Sequence, residues 1–196
     1  MNDFSKQGLL IIDLQNDFLH PEGAYGRAGL QNSSIAALPK AISPVVRKFQ
    51  KNGGWIISAQ FTLIAGKKGI PFISKHLKDL RPFLGKGDFA SGKWGHNLVD
   101  ELQPADLIIE KVAYSAFYMT RLEWILRKAE IKQLFVCGIV TNGGVASTIR
   151  DAHLRDFQTT LISDGCAAFS TDSHSTALAD LSTIVNLMTC EEVLRI

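Results

Sequence analysis

The residues that could do chemistry in this chain stand at the ends of short apolar runs. Asp13 follows Leu9 to Ile12, Gln60 follows Gly54 to Ala59, and Lys111 follows Asp106 to Glu110. Gly143 and Gly144 lie in "GIVTNGGVAST" (Gly138 to Thr148), just past Gln133 to Ile139. A carboxylate leaving an apolar environment has its pKa raised by desolvation, and a nearby cation lowers it again. Asp13 paired with Lys111 therefore suits proton transfer. Two adjacent glycines at the entrance to a helix let backbone N–H groups approach an anion or a developing oxyanion. Such turns often present a nucleophile, but Gly143 and Gly144 have no side chain to present. Taken singly, each feature has a plain alternative. Asp13 reads as a cap, Lys111 as a solvated strand end, Gln60 as a polar strand exit, and the glycines as an ordinary connection.

The elements that must position these residues follow from the hydrophobic pattern. Gly8 to Leu14 is a nearly continuous apolar run, as expected of a strand buried on both faces of a parallel sheet. Comparable runs occupy Gly54 to Ala59, Asp106 to Glu110, Gln133 to Ile139, Thr159 to Ser163 and Ser182 to Met188. Between them, helix periodicity appears at Ile35 to Lys51, Thr120 to Ala129, Val145 to Arg155 and Ser173 to Leu181. Strands alternating with helices predict a single domain over residues 1–196. Its fold class is α/β, a three-layer α/β/α sandwich with a mainly parallel, six-stranded, Rossmann-like sheet. Phe61 to Lys93 breaks the alternation and is expected to form an excursion over the site. Ligands of such sheets bind beyond the carboxyl ends of the strands, where Asp13, Gln60, Lys111 and the Thr141 to Gly144 turn fall.

Composition removes several classes of function. The formal charge is +2, with 21 basic and 19 acidic residues intermixed, so no nucleic-acid footprint is expected. No apolar stretch approaches membrane-spanning length, and cytoplasmic residence without a membrane partner is expected. Cys137, Cys166 and Cys190 are irregularly spaced and read as reduced thiols. No histidine pairs with a cysteine or acid at metal-ligand spacing, and neither metal nor cofactor is expected.

"LLIIDLQNDF" (Leu9 to Phe18), "EKVAYSAF" (Glu110 to Phe117) and "GIVTNGGVASTIRDAHLRDF" (Gly138 to Phe157) together resemble the isochorismatase-like superfamily, also called cysteine hydrolases. In that family an Asp, a Lys and a Cys form the catalytic group. The resemblance maps the first two onto Asp13 and Lys111, and the cysteine position onto Gly144. Family amidases use the thiolate as nucleophile, which glycine cannot replace. Isochorismatases cleave a vinyl ether, with the Asp as general acid, and some members have glycine at the cysteine position. Nicotinamidase-like members place an Asp-x-His metal pair after the second strand. Here Ala59 to Leu63 has none, and "SAQ" (Ser58 to Gln60) is similar to the "TAQ" of isochorismatases, whose glutamine binds substrate.

The resemblance further implies a cis peptide at Ile139-Val140 and N–H groups of Val140 and Gly144 aimed into the site, with Thr141, Asn142 and Gly143 completing the turn. Phe18, Trp94 and Tyr114 are expected to wall the pocket. Isochorismatases hold a substrate carboxylate with an arginine after the glutamine. Here Lys67 or Lys68 is expected to stand in for it. A homodimer or larger homo-oligomer acting on a small-molecule substrate is implied. Two alternatives stand beside this reading: a non-catalytic descendant that binds a small anion or serves as a scaffold, and an amidase using Cys166.

Overall fold

The structure is a computed structural model that describes residues 3–196. Six strands, β1 (Gln7–Ile12), β2 (Trp55–Phe61), β3 (Leu107–Lys111), β4 (Gln133–Ile139), β5 (Gln158–Ala167) and β6 (Asn186–Met188), form one sheet in the order β3-β2-β1-β4-β5-β6. Every pairing is parallel. β1 is buried at all its positions, which is why its sequence is apolar without alternation. The helices are α1 (Asn16–Leu19), α2 (Ala24–Arg27), α3 (Ser33–Lys51), α4 (Lys75–Leu80), α5 (Leu122–Lys128), α6 (Ala146–Leu154), α7 (Thr171–Leu181) and α8 (Cys190–Arg195). The order predicts helices on both faces. Right-handed crossovers from β1 through β2 to β3 run one way across the sheet, and those from β4 to β6 run the other. α3 stays helical through Pro39 and Pro44 because its Ile35, Leu38, Ile42, Val45, Val46 and Phe49 are buried in the main core.

The chain reverses its direction across the sheet between β1 and β4, and ligands favour the crevice at such a point. The two strands approach closely there. Gly138 has φ +120°, and a Cβ on it would lie 2.1 Å from the carbonyl oxygen of Ile12. Only glycine fits.

The predicted strands and helices are all present, with two differences of consequence. β5 runs on past Ser163 to Ala167, so Cys166 lies inside the strand rather than after it. The register slips between β4 residues Val136, paired with Leu161, and Gly138, paired with Cys166. A bulge of this kind admits "SDGC", which reads locally as a turn. β6 shrinks to Asn186–Met188 because a turn follows α7. The excursion from Phe61 to Lys93 contains α4 and builds a satellite core of Leu63, Leu84 and Phe89 with Ala24 and Tyr25, against which Phe18, Phe61 and Phe83 pack.

Candidate active site

β1 delivers Asp13 in a left-handed conformation, φ 58°, which Asp tolerates better than most residues. The turn aims its carboxylate back across the sheet. Oδ1 accepts a hydrogen bond from the Phe61 N–H at 3.0 Å, and Oδ2 accepts one from Lys111 Nζ at 2.8 Å. Lys111 is 1% exposed, and its ammonium also donates to the Ala113 carbonyl at 3.1 Å. A buried ion pair of this kind is a weak source of stability, because desolvation offsets the attraction. Burial pushes the Asp13 carboxyl above the usual carboxylate range, and Lys111 and the Phe61 N–H oppose that rise.

The third member of the group is a surface without a side chain. Thr141–Val145 winds as a π-helical turn before α6, and Gly144 within it is buried. A Cβ at Gly144 would stand 3.1 Å from Asp13 Oδ2, 3.0 Å from the Ile139 carbonyl oxygen and 3.2 Å from Ile12 Cγ2. These contacts are tighter than ordinary van der Waals packing, so a side chain here would require its neighbours to shift by a few tenths of an ångström. The Ile139-Val140 peptide is cis. The Val140 N–H makes no hydrogen bond among the described residues, whereas the Gly143 N–H donates to the Val140 carbonyl at 2.9 Å.

Other sequence-predicted residues fall at varied distances from this centre. Tyr114 borders the turn, since a Cβ on Gly143 would lie 3.7 Å from its ring. Phe18 packs into an aromatic wall with Phe61, Tyr25 and Phe89, and Lys111 Nζ lies 5.7 Å from the centre of the Phe61 ring. Trp94 is half exposed, with its ring set edge-on to His20. Gln60 is buried and donates to Ser58 Oγ at 3.2 Å. Thr141 is wholly buried, but its hydroxyl is engaged by His174 Nδ1 at 2.8 Å on α7, while Asn142 is exposed.

Lys67 and Lys68 do not take an arginine's place. Both stand exposed at the tip of a tight turn where Lys68 has φ 61°. Cys166 is buried against β4, where burial raises its thiol pKa far above the ordinary value, and Cys137 is raised in the same way. A nucleophilic thiol needs the opposite shift. Nothing in this geometry supports Cys166 as a nucleophile.

Five residues of this region escaped the sequence reading. Gln15 is fully buried and clamps the end of β2. Its Oε1 accepts from the Phe61 N–H at 2.8 Å, and its Nε2 donates to the Phe61 and His96 carbonyls. The Thr62 hydroxyl lies 3.1 Å from the Gln60 carbonyl and shares a 2.8 Å hydrogen bond with Nε2 of buried His96, whose pKa burial lowers. Arg81, partly buried, donates from Nε to the Tyr25 hydroxyl at 3.0 Å and makes no ion pair with a carboxylate among the described residues. Thr148 joins two loops of the site. Among the described residues, no three His, Cys, Asp or Glu side chains gather as a metal-binding group.

A parallel α/β sheet with a buried carboxylate, a lysine and a backbone turn at its switch point defines a hydrolase of the isochorismatase-like class. The chain belongs to the isochorismatase family: the isochorismatase domain profile matches residues 7–192. It is 33% identical over 167 residues to a ureidoacrylate amidohydrolase of Caulobacter vibrioides, covering 80% of this chain and 74% of the relative. A ureidoacrylate amidohydrolase of Azorhizobium caulinodans is 35% identical over 161 residues, covering 76% and 71%. Among solved structures, a cysteine hydrolase from Pseudomonas syringae superposes with TM-score 0.84 at 23% identity, covering 100% of this chain and 93% of that one. A nicotinamidase from Bacillus subtilis superposes with TM-score 0.76 at 25% identity, covering 94% and 99%.

Proposed function

We propose that this hydrolase cleaves a small carboxylate-bearing substrate of the vinyl-ether type by proton transfer from Asp13, without a covalent intermediate. The observation that carries the reading is the buried Asp13–Lys111 pair, set against a Gly144 whose surroundings leave no relaxed space for a side chain. Burial raises the Asp13 pKa, and a raised pKa is the direction that favours a carboxyl group acting as an acid toward an enol carbon. Water then captures the oxocarbenium-like ion, and the hemiketal so formed collapses to a ketone and an alcohol. Lys111 orients the carboxyl and limits the rise of its pKa. The uncommitted N–H of Val140 and the backbone of Gly144 offer donors to a substrate oxygen, and Tyr114 flanks them. Gln60 and Phe18 are assigned to the substrate's other end.

The carboxylate is inferred from Arg81 and Tyr25. An arginine without a counter-charge is a ready anion partner, and the Tyr25 hydroxyl, which accepts from Arg81 Nε, directs its own proton elsewhere. The test is turnover of isochorismate and of ureidoacrylate by the wild type and by Asp13→Asn and Arg81→Gln. Cleavage of isochorismate that Asp13→Asn abolishes supports the vinyl-ether reading, while cleavage of ureidoacrylate alone overturns it.

A second reading is favoured by the amidohydrolase relatives. Here Asp13 acts as a base that draws a proton from water, which attacks an amide in place of the missing thiolate. It differs from the first in substrate and in the sign of its pH dependence. The homo-oligomer belongs to the proposal as well, because Val112, Tyr114, Tyr118, Met119 and Trp124, all between the end of β3 and α5, are large apolar residues left exposed.

A further inference from the structure

We propose that Thr148 is a positioning residue that holds the Asp13–Lys111 pair in register with the Gly144 turn. The proposal rests on the assignment of Asp13 and Lys111 made above. Thr148 lies on α6 and is fully buried. Its one hydroxyl makes two hydrogen bonds of opposite sense. Oγ1 donates to the Gly144 carbonyl at 2.7 Å and accepts from the Ala116 N–H at 3.0 Å.

The two partners belong to the two sides of the site. Gly144 faces Asp13 so closely that the position of a Cβ would be 3.1 Å from Oδ2. Ala116 lies midway along the loop that leaves β3 at Lys111 and leads to α5, and the Ala113 carbonyl of that loop takes the second hydrogen bond of the Lys111 ammonium. A single hydroxyl thus ties the loop that holds the ammonium to the turn that faces the carboxylate. Thr120 secures the same loop from its far side by donating to the Ala116 carbonyl at 2.5 Å. Most Ser and Thr hydroxyls in helices only bond back one turn, which by itself does nothing for a site. Thr148 also receives a backbone N–H 32 residues away in sequence, and no residue without both a proton and a lone pair at this place could do both.

The experiment compares Thr148→Val, which keeps the shape and loses the hydroxyl, with Thr148→Ser, which keeps the hydroxyl. Two readouts are taken on the full chain. Steady-state turnover of isochorismate and ureidoacrylate reports the reaction. Titration of the Asp13 carboxyl by carbon-13 NMR reports the ion pair whether or not a substrate is found. Expected for Thr148→Val is a fall in kcat of about tenfold to a hundredfold with KM changed less, as follows from misplacing reacting groups by a fraction of an ångström. The Asp13 titration should move to higher pH as Lys111 loosens, with Thr148→Ser restoring both.

An unchanged Asp13 titration and pH profile in a Thr148→Val protein that is merely less stable would overturn the positioning role. If Thr148→Val fails to fold, Thr148→Ser and Thr148→Cys take its place. Serine must then match the wild type and cysteine, a weak donor, must shift the titration, or the proposal falls. Absence of turnover in the wild type would count against the assigned function alone, because the titration still decides for or against Thr148.

Discussion

Replacing Gly144 by alanine asks whether the tight turn is part of the site. The new Cβ would meet the Ile139 carbonyl at 3.0 Å, Asp13 Oδ2 at 3.1 Å and Ile12 Cγ2 at 3.2 Å. Each contact demands a shift of a few tenths of an ångström, and overpacking of this kind costs about 1–3 kcal/mol. Against it, removing a glycine from a helical turn recovers about 0.5–1 kcal/mol of backbone entropy. The expected net loss is between about 0 and about 2.5 kcal/mol. For a chain of this length that is a fall in Tm of up to about 10 °C. Activity should suffer more than stability. The backbone carbonyl and the buried isoleucine cannot retreat easily, so the Asp13 carboxylate yields, and its 2.8 Å bond to Lys111 opens. A loss of kcat of about tenfold or more is expected. Thermal melting and isochorismate turnover measured on the same preparation decide the matter. An alanine variant as stable and as active as the wild type would refute the claim that the site is built around glycine. A Gly144→Cys variant that gains ureidoacrylate hydrolysis would refute it more directly, by showing a turn that still fits a nucleophile.

Asp13 predicts the sign of the pH dependence. Its folded pKa is raised by burial, so as an acid it is active while protonated, and kcat/KM should fall as pH rises through that raised value. Lys111→Met removes a lowering influence and should move this limb to higher pH, whereas loss of activity on the acid side would assign Asp13 as a base. By linkage, unfolding free energy should also decline as pH rises through the same value, because the folded chain retains a proton that the unfolded chain has released; urea melts between pH 4 and 8 would read this. Gly138→Ala would put a Cβ 2.1 Å from a backbone oxygen at φ +120°, and a cost above about 4 kcal/mol with loss of soluble, cooperatively melting protein is expected. Trp124→Glu places a charge on exposed apolar surface of α5, and if this surface joins two copies, the sedimenting mass should halve without loss of helical circular dichroism.

The residues legible in the sequence share one property: local order places them at strand ends, and the family resemblance gives them their roles. Asp13, Lys111 and Gly144 each follow an apolar run long enough to be a buried strand, so their place at the carboxyl edge follows from the pattern of the chain around them. The supporting residues have no such mark. Gln15 takes its hydrogen bonds from Phe61, 46 residues away, Arg81 meets Tyr25 at a separation of 56, and Thr62 meets His96 at 34. Each looks in isolation like a surface polar residue, and only the packing of the excursion over β1 and β2 buries it. The sequence pattern ends β5 early for a related reason, since "SDG" carries turn chemistry that the bulge opposite Gly138 absorbs.

The same distinction bears on the glycine at position 144, where the resemblance places the family's cysteine. A lost nucleophile with no other change would leave a vacancy beside Asp13, and the sequence alone is compatible with one. The distances around Gly144 instead leave a Cβ tight space, 3.0–3.2 Å from Ile139, Asp13 and Ile12, so that these neighbours would have to give by a few tenths of an ångström. Interiors pack to a density at which such a fit costs neighbours their freedom, so it is kept only where those neighbours are held by other bonds. Here they are: Asp13 by Phe61 and Lys111, and the Gly144 carbonyl by Thr148. The fit therefore belongs to a hydrogen-bonded group spanning the ends of β1, β2, β3 and β4, and any side chain placed at position 144 would press on that group by a few tenths of an ångström.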